Sequence, residues 1–264
     1  ARYGTAKFQF RANLDSAQSS VQLTLDGSAV NPGFAPYLVP AVGVVLAAGQ
    51  HTFRAMPQGA PMGTILDFQV LGGTKRTVAD YRDDFQAGVA KKNWFYCWNA
   101  NAAMGASTSA AALKQLNWNP GSSSFTELGL AYPESSTLLP LGALSATGGH
   151  PGRDKDQGAT FDRFVLAGYQ TKLGGYYGID AGFVTSLNTA STGQEIAIYV
   201  QSGATLTRKM LLSNPGGQTA LLNNISLGLL AAGDIVWLGV GPSGNDTADT
   251  FSLDFSVVYN ELFF

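Results

Sequence analysis

The fold is decided by an alternating stretch near the C-terminus, Phe251-Ser252-Leu253-Asp254-Phe255-Ser256-Val257. Successive side chains of a β-strand point to opposite faces of the sheet, so this alternation predicts a strand with one buried and one solvated face. The same period of two recurs from Phe8 to Ala12, from Val21 to Leu25 and from Ile196 to Val200. Apolar faces with the period of a helix are nearly absent, and we therefore expect an all-β protein.

The pattern is repeated within the chain. Leu46-Ala47-Ala48-Gly49 is followed, after a loop, by Leu66-Asp67-Phe68-Gln69-Val70, and Leu230-Ala231-Ala232-Gly233 is followed in the same way by the stretch from Leu253 to Val257. Alternating strands that begin near a Tyr-Gly step precede both pairs. Because these features recur in the same order, we expect two copies of one structural unit.

The two copies differ at their beginnings, since residues from about 77 to 173 precede the second copy and have no counterpart before the first. We predict two jelly-roll or β-sandwich units: residues 1–73 form an incomplete unit, 74–80 a linker, and 81–264 a complete domain. A sandwich buries the inner faces of two facing sheets. The open face of the first unit must then be shielded by the second domain, by another chain, or by residues upstream of this sequence.

Composition favours a secreted protein that binds or assembles. Charged residues make up 13% of the chain, which is about half of the usual share, and a weakly charged surface lacks an ordinary defence against self-association. The formal net charge of −2 would not attract DNA, RNA or an anionic membrane. No apolar run is long enough for a transmembrane helix. The sequence begins at Ala1 without a Met or a signal peptide, so we expect a removed leader or a fragment.

Catalysis is not expected. The sequence has no Gly-x-Ser-x-Gly elbow, no His/Cys metal-ligand spacing and no phosphate-binding loop. His51 and His150 are the only histidines, and Cys97 is the single cysteine, best interpreted as a small buried apolar residue. Few glutamates are available for a carboxylate pair of the glycosidase type.

Two segments carry a family resemblance. The segment from Leu46 to Arg54, followed by Ile65 to Val70, resembles the C-terminal part of jelly-roll carbohydrate-binding modules, which are appended to bacterial polysaccharide-degrading enzymes and surface proteins. The second unit, with Tyr81-Arg82-Asp83-Asp84-Phe85 and the segment from Trp94 to Asn99, is similar to domains of large secreted proteins of environmental bacteria. The resemblance implies a jelly-roll fold and an extracellular, non-catalytic role, and it carries over no ligand residues.

Aromatic side chains supply the candidate sugar-binding residues. Trp94, Tyr96 and Trp98 have the spacing that places alternate residues on one face of a strand. Such a row could stack on pyranose rings, or it could pack in the core. Trp118 lies in a loop-like stretch rich in Asn, Pro and Gly and is a second candidate for stacking, whereas Trp237 is expected in the core.

Acidic residues supply a candidate calcium site, and Ca²⁺ is the one cofactor that the sequence suggests. Asp154, Asp156 and Asp162 resemble a short calcium loop, although the closing Glu of an EF-hand is missing. Asp246, Asp249 and Asp254 form a second acidic cluster near the C-terminus. In both places the alternative is a solvated turn.

Two functions follow as hypotheses. The first is a structural or adhesive subunit that associates with itself in a surface or filamentous assembly. Its candidate contact residues are aromatic or apolar and lie near the two chain ends: Tyr3, Phe8, Phe10, Leu262, Phe263 and Phe264. The second is a carbohydrate-binding module cut from a larger secreted protein, with a polysaccharide as its partner.

Overall fold

The computed structural model describes two parts of the chain at different levels of detail. Backbone and side chains are described for residues 75–127, 142–155 and 159–259, and the backbone alone for residues 4–13, 20–25, 28–31, 39–46, 53–58, 64–72 and 260. The chain divides into two compact units, Ala1–Arg76 with Asn260–Phe264 (unit 1) and Thr77–Tyr259 (unit 2). The boundaries placed at residues 73 and 81 from the sequence stay a prediction.

Unit 1 contains two three-stranded antiparallel sheets in its described residues, with the strand orders β4-β1-β6 and β3-β2-β5. In the first sheet Phe8 pairs with Val42 on one side and with Val70 on the other. The six strands are β1 (Gly4–Asn13), β2 (Ser20–Leu25), β3 (Ser28–Asn31), β4 (Val39–Leu46), β5 (Phe53–Gln58) and β6 (Thr64–Gly72).

Unit 2 is a two-sheet structure built mostly from short antiparallel strands. Its described residues include the helical turn α1 (Tyr81–Asp84), which the Asp80 side chain caps, and a 3-10 turn at Ala110–Ala112. Its strands are β7 (Lys75–Asp80), β8 (Trp94–Trp98), β9 (Ser107–Ser109), β10 (Lys114–Gln115), β11 (Asn117–Asn119), β12 (Ser124–Thr126), β13 (Ala143–Ser145), β14 (Gly148–His150), β15 (Val165–Gln170), β16 (Gly175–Ser186), β17 (Gln194–Ser202), β18 (Thr205–Asn214), β19 (Thr219–Leu222), β20 (Ile225–Leu230), β21 (Ile235–Pro242) and β22 (Phe251–Asn260).

Within the described residues of unit 2, the strands form two sheets. One sheet has seven strands in the order β10-β8-β15-β21-β17-β18-β9, and the other has nine. The nine-stranded sheet runs β11-β12-β13-β14-β22-β16-β19, with β20 paired to β16 and β7 paired to β22. All-β, sandwich-like architecture is therefore confirmed. Within the described residues no helix has the length and apolar character that crossing a membrane requires.

The two units share a six-strand core. In unit 2, β16 lies between β22 and the pair β19 and β20, while β17 lies between β18 and β21. Unit 1 has the same arrangement, with β1 between β6 and β4, and β2 between β3 and β5. The sequence repeat therefore corresponds to a repeat of topology. Unit 2 adds strands β7 to β15, and β15 pairs with β21. The strand of unit 1 that corresponds to β21 is β5, which among the described strands pairs with β2 alone.

The main core of unit 2 lies between its two sheets and is rich in aromatic rings. The buried Tyr81 ring stacks on Phe255 with 5.7 Å between ring centroids, and it meets Trp94 and Tyr96 edge-on at 6.0 and 6.3 Å. The Tyr81 hydroxyl donates to the carbonyl of Ser145 at 2.6 Å, so its polar atom is satisfied on burial. The first helical turn of unit 2 is thereby fixed against both sheets.

A second core covers the other face of the seven-stranded sheet. It is built from Phe164, Leu166, Ala197, Tyr199, Leu206 and Trp237, all buried, against partly buried side chains that include Met104 and Leu113. The segment between β8 and β10 therefore covers this face. Trp237 donates from Nε1 to Gln201 Oε1 at 2.9 Å. Its indole lies over Gly168, where an added Cβ would stand 2.4 Å from Trp237 Cε3.

We expect Gly168→Ala to destabilise the protein because the added methyl has no room beneath the Trp237 indole. Overpacking of this kind costs about 1–3 kcal/mol. Chemical denaturation monitored by tryptophan fluorescence measures the change in the free energy of unfolding. Gly174→Ala is the matched control, since its Cβ would meet nothing closer than 3.7 Å. Equal stability of the two variants would contradict the packing described here.

Candidate functional site

Buried polar side chains are concentrated at one end of unit 2, which we call the polar end. The end of β8 and the start of β15 lie level there because Trp98 pairs with Val165. The start of β17 pairs with the ends of β18 and β21 at the same level. The buried polar residues of these strand ends and of the segments that connect them include Asn99, Glu127, Asp154, Ser191, Gln194, Asn214, Asp246 and Asp249.

Three of these residues form a buried acidic group. Asp154 is 1% exposed, Asp246 4% and Asp249 0%. Asp154 Oδ2 accepts a hydrogen bond from the backbone amide of Asp246 at 2.8 Å, and Asp249 Oδ1 accepts one from the Ser191 hydroxyl. Oδ2 of Asp246 and Oδ2 of Asp249 are buried without a hydrogen-bond partner.

Burial sets the protonation behaviour of this acidic group. It raises the pKa of Asp249 to about 6. The charges of Asp246 and Asp154 raise this pKa as well, whereas the hydrogen bond from Ser191 lowers it. Burial also raises the pKa of Asp246, opposed by Arg153 and reinforced by Asp154. Each of the two carboxylates is therefore harder to ionise in the folded protein than in water.

Two buried amides hold the loops around the acidic group. Gln194 donates from Nε2 to Ser186 Oγ at 3.1 Å and to the carbonyl of Asp249 at 3.2 Å. Asn214 donates to the carbonyls of Val184 and Gln218 at 3.3 and 3.2 Å. These bonds tie the loop that carries Asp249 to the ends of β16, β17 and β18.

An ion pair between the buried Glu127 and the half-buried Arg163 lies elsewhere in the polar end. Glu127 is 3% exposed; its Oε1 accepts from the Gly142 amide at 2.9 Å, and its Oε2 is 3.4 Å from Arg163 Nη1. The Arg163 guanidinium stacks over the Trp98 ring at 4.9 Å. Burial raises the pKa of Glu127 to about 7, although the Gly142 amide and Arg163 both lower it. Gly152 also lies against Glu127, since an added Cβ there would stand 2.8 Å from Oε1.

Asn99 fixes the start of the segment that covers the second core. Its Oδ1 accepts from the Phe164 amide at 2.6 Å, and its Nδ2 donates to the carbonyls of Ala102 and Asp162 at 2.9 and 3.0 Å. The fully buried amide thus joins the loop after β8 to the loop before β15. Asn99 therefore has a structural role within the polar end.

The aromatic row predicted as a sugar platform is buried. Trp94, Tyr96 and Trp98 do share one face of a strand, as the spacing indicated, but they are only 3%, 1% and 7% exposed. Their faces pack in the main core, Tyr96 for example at 4.7 Å from the Phe125 ring. The sugar-stacking interpretation of these three residues is corrected to the core alternative.

Trp118 occupies a different environment. It lies on β11, an end strand of the nine-stranded sheet, rather than in a loop, and it pairs with Phe125 of β12. The ring is half-buried and meets Phe125 edge-on with 5.1 Å between centroids. Asn119 accepts from the backbone amides of Gly121 and Ser122 at 2.8 and 3.3 Å, which holds the following turn. Trp118 is thus a fixed aromatic ring that is partly open to solvent.

The predicted calcium loop is not assembled in the form that the sequence suggested. Asp154 is buried, whereas Asp162 is half-buried and accepts from the Lys155 amide at 3.0 Å. Asp156 lies outside the described residues. Across residues 75–127, 142–155 and 159–259, no three His, Cys, Asp or Glu side chains form a ready-made metal cage. Instead, the structure brings Asp154 to Asp246 and Asp249, which sequence reasoning had kept apart.

Most of the residues predicted to mediate assembly lie outside the residues that the structure describes. Tyr3, Leu262, Phe263 and Phe264 lie outside the described residues. Phe8 and Phe10 lie on β1, the central strand of its sheet, where only the backbone is described. The prediction for these residues stays a prediction.

Sequence reasoning missed the pairing of Glu127 with Arg163 over Trp98. The three residues are far apart in the chain. The pairing of Trp98 with Val165 brings the ends of β8 and β15, and with them Trp98 and Arg163, to the same level. The sequence held one weak indication of a buried carboxylate at this place. Gly142 and Gly152 lie just before β13 and just after β14, and the absence of a side chain at each leaves room for the Glu127 carboxylate.

We expect the pH dependence of stability to report on Glu127. Because the folded state binds its proton more tightly than the unfolded chain does, the contribution is complete below about pH 4.5 and is lost as the pH rises to about 7. Glu127→Gln should lack this loss. Between pH 5 and 8 in EDTA, its free energy of unfolding should gain about 1–3 kcal/mol relative to wild type. Glu195→Gln is the control, because Glu195 is a half-buried glutamate on β17. A parallel shift in both variants would contradict the role of Glu127.

No family model and no curated protein matches the chain. Among solved structures it is similar to a Paenibacillus xanthan lyase (13% identity, TM-score 0.26, 99% of this chain and 22% of that one). It is also similar to an isomaltodextranase of Arthrobacter globiformis T6 complexed with panose (13%, 0.26, 96% and 32%), and to infectious bursal disease virus Gx strain (10%, 0.30, 99% and 58%). The chain spans less than two thirds of each. This is distant similarity between β-rich structures, and at these TM-scores it carries no argument about function.

Proposed function

We propose that this chain is a non-catalytic carbohydrate-binding module of an extracellular protein. The observation that carries the proposal is the half-buried Trp118 on an end strand of unit 2. Pyranose rings have apolar C–H faces, which an accessible indole can cover while the hydroxyl groups remain free for hydrogen bonds. The exposed polar side chains of Lys114, Gln115 and Asn117 flank this ring along the chain. They are donors and acceptors of the kind that sugar hydroxyls need.

The position of Trp118 suits the binding of a polysaccharide chain. Its indole is fixed from below by Phe125, so little side-chain entropy is lost when a ligand covers it. Asn117 donates from Nδ2 to the carbonyl of Glu127 at 3.4 Å, which links the strand of Trp118 to the polar end. A platform at the edge of a sheet can accept an extended chain without a deep pocket.

Two groups that would be suspected of catalysis are better explained as structural. Glu127 has a raised pKa, but it is buried and both of its oxygens are engaged, by the Gly142 amide and by Arg163. Burial raises the pKa of the Cys97 thiol to about 12, which keeps it protonated and unreactive. These environments support a binding role over a catalytic one.

We expect the chain to be retarded in affinity gels that contain at least one of dextran, xanthan, xyloglucan or β-glucan. Trp118→Ala should weaken that binding about tenfold, equivalent to about 1.4 kcal/mol, because the apolar face of the sugar loses its partner. Quenching of tryptophan fluorescence on titration provides a second measurement.

Tyr176→Ala is the matched control, since Tyr176 is an exposed aromatic residue on β16, 39% accessible, away from β11. Its affinity should equal that of wild type. Binding that survives in Trp118→Ala, or no retardation by any of the four polysaccharides, would refute the proposal.

Self-association is a second candidate, supported by an apolar patch on the outer face of the nine-stranded sheet. Leu221 is 67% and Leu229 70% exposed. Leu221 pairs across strands with Phe183, and Leu229 pairs with Tyr176, so that two apolar pairs lie seven residues apart along β16. Exposed apolar surface is typical of interaction sites. The chain's low charge would not oppose contact between copies.

We expect the double variant Leu221→Lys/Leu229→Lys to weaken self-association at least about tenfold, since two buried charges would face each other across a symmetric contact. Sedimentation velocity over a range of concentrations measures the effect. Val89→Lys, at a site 70% exposed in a loop, is the control and should behave as wild type. A wild-type protein that stays monomeric at its highest soluble concentration would exclude this candidate.

A further inference from the structure

Two carboxylate oxygens at the polar end have no hydrogen-bond partner, although both are buried. They are Oδ2 of Asp246 and Oδ2 of Asp249, on side chains of residues that are 4% and 0% exposed. Native proteins satisfy almost all buried polar atoms, so each such orphan requires an explanation. Here two orphans occur three residues apart, in one loop between β21 and β22.

The charge around these oxygens is unbalanced. The charge of Asp154 raises the pKa of Asp246, and the charges of Asp246 and Asp154 both raise the pKa of Asp249, whereas Arg153 is the one cation among these causes and acts on Asp246. Buried anions are unfavourable unless their charge is compensated, and no cation is among the causes that shift the pKa of Asp249. The folded state therefore gains stability from whatever supplies positive charge at this point, either protons or a metal cation.

We propose that Asp246 and Asp249 bind a divalent cation of the calcium type, with Asp154 contributing to the negative field that attracts it. Calcium accepts six to eight oxygen ligands and tolerates irregular geometry. Two carboxylates can thus suffice when backbone carbonyls, hydroxyls and water complete the coordination. This accounts for a site at which no three acidic side chains form a cage by themselves.

Ligand chemistry favours calcium over the alternatives. All of the candidate side-chain ligands are oxygens, which excludes a preference for soft thiophilic ions. Magnesium demands near-ideal octahedral geometry and gives up its waters reluctantly, which suits a buried loop poorly. The ion would join the loop before β15 to the loop before β22, as the hydrogen bond from the Asp246 amide to Asp154 already does.

Thermal unfolding of the full chain at pH 8 tests the site. After treatment with EDTA, addition of 1 mM CaCl₂ should raise Tm saturably by about 5 °C or more, and calorimetry should give one Ca²⁺ per chain. MgCl₂ at the same ionic strength should have a smaller effect. At pH 5 the calcium effect should shrink, because protons then occupy the same carboxylates.

Asp246→Asn and Asp249→Asn should each abolish the rise in Tm, while Asp162→Asn, outside the acidic group, should keep it. If an Asn variant does not fold, the wild-type calorimetric titrations at pH 8 and pH 5 decide alone. Absence of saturable calcium binding at pH 8 would overturn the proposal and leave protons as the neutralising charge. Loss of the effect in Asp162→Asn, or its persistence in both Asn variants, would overturn it as well. Sugar binding is not needed for any of these outcomes.

Discussion

The seven-stranded sheet of unit 2 must be covered on both faces, and the rest of the unit is arranged around that constraint. Its central strands carry almost no polar side chains, as the run from Val165 to Tyr169 shows, all of it buried. One face packs against the nine-stranded sheet through the main core, which contains Tyr81. The other face is covered by the segment between β8 and β10. Apolar burial on both faces is the largest favourable contribution available to a sheet of this kind.

Because both faces of this sheet are covered, polar groups of the loops at the strand ends become buried. Loops that cross a closed sandwich must satisfy their backbone amides and carbonyls without water. Asn99, Gln194 and Asn214 do this by bonding to several loops each. The same enclosure raises the pKa of Asp249, since its carboxylate is as buried as the amides are. The structural network and the acidic group therefore have a common origin.

Period-two alternation and the internal repeat were sufficient to predict an all-β fold, because strand periodicity is local and each copy repeats it. The aromatic row from Trp94 to Trp98 was placed on one face correctly, yet sequence alone could not decide which side of the sheet would be covered. The acidic group could not be predicted either. Asp154 and Asp246 are separated by most of unit 2, and only the pairing of β15 with β21 brings their loops together.

The two copies of the unit differ in the loop that carries the buried acidic group. In unit 1 the segment that links β5 to β6, residues 59–63, reads Gly-Ala-Pro-Met-Gly and has no carboxylate. In unit 2 the equivalent loop carries Asp246 and Asp249, and the extra strands β7 to β15 supply Trp118, while the loop before β15 supplies Asp154. The buried acidic group therefore depends on the residues that unit 2 adds before β15, since Asp154 in that segment accepts the hydrogen bond from the Asp246 amide.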